Sequence, residues 1–167
     1  MNFYKDGQRM SATAELIETY RKLRGREIHV GPWLQIDQQR IDDFAQVTGD
    51  QQWIHIDPQR AVKESPYGTT IAHGFLTLSL LPYLSQSNHP DFFSRNYPGM
   101  RLRVNYGFNK LRYPEPVLCG DRIRARTAVQ SAEEVNRGVQ IVYKLTIEIE
   151  GKEKPACVAE QVMRVYP

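Results

Sequence analysis

The chain reads as an α+β fold: one apolar helix wrapped by a long antiparallel sheet. Three observations lead there. The run Phe75-Leu76-Thr77-Leu78-Ser79-Leu80-Leu81 is apolar on nearly every side, and such a helix belongs in an interior. Four later segments favour strand: Met100 to Phe108, Asp121 to Gln130, Val139 to Glu150 and Ala156 to Val165. Two of them alternate strictly. Ile123, Ala125, Thr127 and Val129 interleave with Arg122, Arg124 and Arg126, and Ile141, Tyr143, Leu145, Ile147 and Ile149 repeat the pattern. Strands with one buried face look like this. A sheet that wraps one helix accounts for both features.

Taken in order, the chain starts with an amphipathic helix from Ser11 to Leu23. Leu16, Ile17 and Tyr20 fall at helical spacing, and Gly25 ends it. Residues 1–29 are expected as a helical extension and residues 30–167 as the single main domain. Pro32 to Ile36 is a short strand. Asp37 caps a helix with apolar positions Ile41, Phe44, Ala45 and Thr48, and Gly49 is placed to end it in a left-handed conformation. Trp53-Ile54-His55-Ile56 is expected to be extended. Asp57-Pro58 opens a short helix, with proline at its first position, that stops before Pro66. Pro82 should end or kink the apolar helix. Gly120-Asp121, Asn136-Arg137-Gly138 and Gly151 supply turns, the last joining the final two strands in a hairpin.

Length and composition suit one soluble domain. The chain has 167 residues, 41% hydrophobic and 25% charged, enough for a core without staples. Cys119 and Cys157 form no metal-binding spacing, which points to a reducing, cytoplasmic setting. No apolar leader is visible in Met1 to Asp6. The run from Ile71 to Leu84 is too short and too interrupted to cross a bilayer. A net charge of +3 does not argue for nucleic acid. Arg101, Arg103, Lys110, Arg112, Arg122, Arg124 and Arg126 face only Glu115 and Asp121 in their stretch. That stretch is either a solvated strand face or a patch for a phosphorylated ligand.

Two polar clusters carry the candidate chemistry. Asp50 and His55 lie on a loop between structured segments, where an imidazole exchanges protons near neutrality and a carboxylate orients it. The alternative is that Asp50 supports the helix end and His55 is a satisfied, half-buried histidine. In the second cluster, Gly74 sits at a helix start, where unpaired N–H groups attract charge developing on a carbonyl oxygen. Tight packing is its alternative. His73 beside it reads first as a packing residue. Ser79 either bonds back to the Phe75 carbonyl or supports a ligand. G-x-S-x-G is absent, which weakens a serine-hydrolase reading.

The run Phe44-x-x-x-Thr48-Gly49-Asp50-x-x-x-x-His55-x-Asp57-Pro58, followed by Ala72-His73-Gly74-Phe75-Leu76-x-x-Ser79-Leu80, resembles the MaoC-like dehydratases. That family includes the R-specific enoyl-CoA hydratases. The later Asn105-Tyr106-Gly107-x-Asn109-Lys110-x-Arg112-Tyr113-Pro114-x-Pro116-Val117-x-x-Gly120-Asp121 is similar to the branch containing nodulation protein N. The resemblance covers roughly Val30 to Val165. It implies a hot-dog fold, an antiparallel sheet wrapped around a long central helix, and a homodimer with joined sheets. It implies Asp50 and His55 as the catalytic pair, Gly74 as oxyanion donor and Ser79 as support.

The activity implied is hydration of a 2-enoyl thioester of coenzyme A or acyl carrier protein, or dehydration of the (R)-3-hydroxyacyl form, with no metal or redox cofactor. A hot-dog thioesterase and a non-catalytic acyl-thioester binding protein are the alternatives. Candidate substrate contacts are Trp53, His73, Asn105, Asn109, Lys110 and Arg112, the two basic residues for coenzyme A phosphates. The chain departs from the family at Gln52-Trp53, where hydratases carry Asn-Pro, so Trp53 is expected to reshape the acyl pocket.

Overall fold

A six-stranded antiparallel sheet curls around the helices, seen in a computed structural model that describes residues 4–5, 8–9 and 11–167. Part of the expected extension, at residues 1–3, 6, 7 and 10, lies outside the described residues. Tyr4–Lys5 (β1) and Gln8–Arg9 (β2) pair with each other. Helix α1, Ala12–Lys22, begins at Ser11, whose side chain accepts from the Ala14 N–H. Its Leu16, Ile17 and Tyr20 are buried in the main core.

The main sheet runs β3 (Glu27–Val30), β6 (Arg122–Val135), β7 (Gly138–Ile149), β8 (Cys157–Tyr166) and β5 (Leu102–Arg112), with β4 (Leu34–Gln35) also on β6. The expected boundary at residues 29 and 30 therefore falls inside β3. Alternation along β6 is as read: Ile123, Ala125, Thr127 and Val129 are buried. The arginines between them are not free. Arg122 pairs with Glu150, Arg124 with Glu148, and Arg126 with Glu148 and Glu27. This half of the basic stretch is a solvated, salt-bridged strand face. Val135 stands opposite Gly138 across a tight Asn136-Arg137 turn, with Arg137 at φ 64°.

Between β4 and β5 the chain is helical: α2 (Gln38–Thr48), α3 (Trp53–Ile56), α4 (Pro58–Glu64), α5 (Gly74–Ser79), α6 (Leu81–Leu84) and α7 (Phe92–Asn96). Asp37 caps α2 and Gly49 closes it at φ 77°, while Asp57 caps α4 with Pro58 in its first turn. Three expectations change. Trp53 to Ile56 is one helical turn rather than extended, closed by the Asp57 N–H on the Trp53 carbonyl. The long central helix is two short ones meeting at Leu80, because Pro82 has no N–H to continue the ladder.

The third change concerns burial. Leu76, Leu81 and Leu84 face the core, but Phe75 is 67% and Tyr83 51% exposed. With exposed Ser79 and Pro82 they form one open stripe at helical spacing. Gly31 locks this helix pair to the sheet: a Cβ there would run into the Leu84 carbonyl oxygen. Among the described residues no helix is long and apolar enough to cross a membrane.

Candidate active site

Left-handed Gly49 ends α2 and turns the chain into Asp50-Gln51-Gln52, which leads into the single turn of α3. That turn buries His55 at 8% exposure. Opposite it runs the strap Thr70 to His73. The strap is held on both sides: the Ile71 N–H donates to the Ile54 carbonyl, Ala72 N–H to Val117, and the Cys119 N–H to Thr70. His73 at its end is 3% exposed and precedes the first turn of α5.

Hydrogen bonding fixes the place of one proton on each imidazole. His55 Nδ1 lies 2.7 Å from the Ile71 carbonyl oxygen and His73 Nε2 3.0 Å from the Asp50 carbonyl oxygen. A carbonyl only accepts, so the proton sits on each of those nitrogens. Neutral His55 therefore has a bare Nε2. The two rings stack with centroids 3.8 Å apart, and Phe44 tilts against His73 at 5.1 Å. Burial pulls His55 below its ordinary pKa and neighbouring His73 adds to that, while the bond to Ile71 and the Asp50 charge oppose it.

Asp50, His55 and His73 each place a polar atom within 4.8 Å of the others. One water bonded to two such atoms at about 2.8 Å spans that separation.

Gly74 follows at the start of α5, where His73 makes no side-chain cap. A Cβ on Gly74 would lie 3.2 Å from three atoms of the Tyr113 ring, so a side chain there would have to push the ring aside by a few tenths of an ångström. Spacing did not single out Tyr113 as a contact. Gln38 was missed as well. It donates to Asp42 Oδ1 and to the His55 carbonyl, each at 2.8 Å, and accepts from the hydroxyl of buried Thr70. Its position on the first turn of α2, one residue past the cap, carried no signal.

The other candidates disperse. Ser79 is exposed and lines a cavity of about 1390 Å³ between the sheet and helices α1, α6 and α7, while the His55 ring bonds Ile71 instead. Asn105 lines the same cavity and accepts from Gln161 Nε2 at 3.4 Å. Trp53 is not on that wall; it stacks under the Arg60 guanidinium at 4.4 Å. Asn109 is exposed on β5, Lys110 pairs with Glu160, and Arg112 donates to the neighbouring Leu111 carbonyl.

A sheet around helices, with an aspartate and a buried histidine at the mouth of one of them, can be set beside known proteins. Residues 20–150 match the MaoC like domain. Over 153 residues, 91% of this chain and 97% of the relative, the sequence is 42% identical to 3-hydroxyacyl-thioester dehydratase Z of Mycobacterium tuberculosis. It is 39% identical to nodulation protein N of Rhizobium meliloti, over 84% of each chain. The chain belongs to the MaoC-like family, in the neighbourhood of nodulation protein N.

Solved structures agree on the fold. The (R)-hydratase from A. caviae involved in PHA biosynthesis superposes with TM-score 0.62 at 23% identity, covering 84% of this chain and 98% of that one. A monoamine oxidase regulatory protein from Archaeoglobus gives TM-score 0.67 at 23% identity, covering 83% and 88%.

Proposed function

We propose that this protein interconverts 2-enoyl and (R)-3-hydroxyacyl thioesters by adding or removing water. One observation carries the reading. The Ile71 carbonyl holds the proton on His55 Nδ1, which leaves Nε2 as a base beside the Asp50 carboxylate.

In hydration, Asp50 and His55 hold a water between them. His55 Nε2 takes its proton as the oxygen attacks the β-carbon. The proton returns to the α-carbon from the same pair, so one water is added and both side chains end as they began. Charge passes to the thioester oxygen. The Gly74 N–H, unpaired in the first turn of α5, faces that charge. The acyl chain runs past Leu78 and Ser79 into the 1390 Å³ cavity. The steps call for no metal or redox cofactor. A cytoplasmic setting fits the two free thiols, Cys119 and Cys157.

The working unit is a homodimer. Strand β5 is an eleven-residue edge with Leu102, Val104 and Tyr106 exposed, and a long apolar edge of this kind invites another strand. The open stripe of Phe75, Ser79, Pro82 and Tyr83 is a second surface for the partner to cover.

Crotonyl-CoA is the test substrate, followed by loss of the conjugated thioester absorbance and by product chirality. Asp50→Asn and His55→Gln should each lower kcat about 10²–10⁴-fold with the fold intact. Folded variants hydrating at the parental rate would sink the assignment. Release of free thiol would show a thioesterase, and tight binding without turnover a carrier.

A further inference from the structure

The cavity that takes the acyl chain in this reading has a polar spot on its sheet wall. Thr127 of β6 and His29 of β3 stand directly opposite each other across the antiparallel pair, and both line the cavity. A bulge between Glu27 and His29 puts them on one face: Glu27 stands opposite Ala128 and bonds outward to Arg126, while His29 joins Thr127 on the inner side. Thr127 Oγ1 and His29 Nε2 are both buried, and neither has a hydrogen-bond partner among the described residues.

Arg40 Nε and His73 Nδ1 are also buried without a partner among the described residues, but they stand apart from this wall, and among the buried threonines Thr127 is the exception. The other two buried threonines spend their hydroxyls, Thr70 on Gln38 and Thr77 on the His73 carbonyl. Thr127 sits between Leu145, its partner on β7, and His29. Valine would fill that site with the same shape and no unpaired hydroxyl, so the hydroxyl is a cost unless something bonds it. Both side chains border the acyl cavity, and a turn of each would bring its unspent atom to a ligand oxygen. The buried Tyr97–Tyr143 hydroxyl pair, 2.9 Å apart, lines the same space.

We infer that the acyl group this protein takes carries a neutral oxygen, a hydroxyl or carbonyl remote from the thioester, which Thr127 and His29 bind. The inference rests on the thioester reading above and narrows its substrate class. A hydroxyl and an imidazole nitrogen together can give and take a hydrogen bond, which suits an alcohol or ketone. Leu78 and Ser79 of the cavity wall lie on the helix that begins at Gly74, and five residues of helix advance about 7.5 Å.

The test pairs medium-length 2-enoyl-CoA substrates, plain against ω-hydroxy and ω-oxo chains of equal length. The oxygenated member should have a kcat/KM at least about tenfold higher, and Thr127→Val and His29→Leu should each bring that ratio towards one. A parental ratio at or below one overturns the inference. So does a ratio that neither substitution moves, or an ω-carboxylate preferred over the alcohol, which would point to Arg103 instead. Plain-chain turnover reports separately on the hydratase reading. If no enoyl-CoA reacts, that reading fails, and calorimetric binding of the saturated plain and ω-hydroxy acyl-CoA pair still reads the preference, with the same ratio expected.

Discussion

The acid limb of the pH–rate profile is where the stacked histidines can be tested. Burial pulls the His55 pKa below 6.5 and His73 lowers it further, against the hydrogen bond to Ile71 and the Asp50 charge. The lowered pKa favours neutral His55 at pH 7. The kcat/KM for crotonyl-CoA should therefore be nearly flat above neutrality and fall to half at a pH below 6.5. His73→Phe keeps an aromatic ring over His55 and removes one lowering influence, so the limb should move up. Asp50→Asn removes a raising influence, so on its residual rate the limb should move down. Stability follows the same group. Unfolded His55 holds its proton more tightly than native His55 does. Its contribution is fully present above pH 6.5 and is lost as pH falls through the lower native value. The assay is initial rate from pH 5 to 9, with circular dichroism confirming the fold at each point. A parental limb at or above 6.5, or a downward shift in His73→Phe, would refute the reasoning.

Three further outcomes are expected. Gln38→Leu strips the buried Thr70 hydroxyl and the His55 carbonyl of their partner; it should cost about 1–3 kcal/mol in urea unfolding and lower kcat more than it changes KM. Gly74→Ala presses a methyl 3.2 Å from the Tyr113 ring; stability should drop by about 1 kcal/mol, since Tyr113 is 39% exposed and can yield. Its kcat should fall, and Tyr113→Ser in the same chain should recover part of that loss. Val104→Lys together with Tyr106→Lys places charge on the β5 edge, and sedimentation should then report a monomer where the parent is a dimer. A parent that sediments as a monomer would remove the dimer from the proposal.

What could be read in advance was what neighbours along the chain decide. Helix α2 carries its own start and stop in Asp37 and Gly49, and both act as read. Strands β6 and β7 announce themselves by alternation, since each residue's face follows from its parity. Helix α3 did not announce itself. Three apolar residues and a histidine suit a turn or a strand equally, and the choice was made by the Asp57 N–H closing on Trp53. Nor did β3, whose Glu27 and His29 look like loop. It is a strand because β6 offers an unpaired edge and Arg126 meets Glu27 there. The apolar central helix was legible as apolar, but the full burial inferred from it was not realised in a single chain, where Phe75 and Tyr83 remain open.

The candidate site shows the same division at finer scale. Asp50, His55 and Gly74 were visible as types at suggestive spacing, yet spacing alone favoured a packing role for His73. A long-range bond pattern decides what His73 packs against. The Thr70 to His73 strap lies against Ile54 on one side and against Val117 and Cys119 on the other. The second side belongs to the stretch that ends in Gly120-Asp121, where Asp121 accepts from the Leu118 N–H at 2.9 Å and pairs with Lys152 at 3.0 Å. That downstream signature touches neither Asp50 nor His55. It holds the strap whose Ile71 carbonyl fixes the His55 proton and whose end seats His73 on the ring. In the proposed mechanism the proline–glycine–aspartate run thus acts through the position of a single carbonyl oxygen, a connection that exists only once the two halves of the chain have packed.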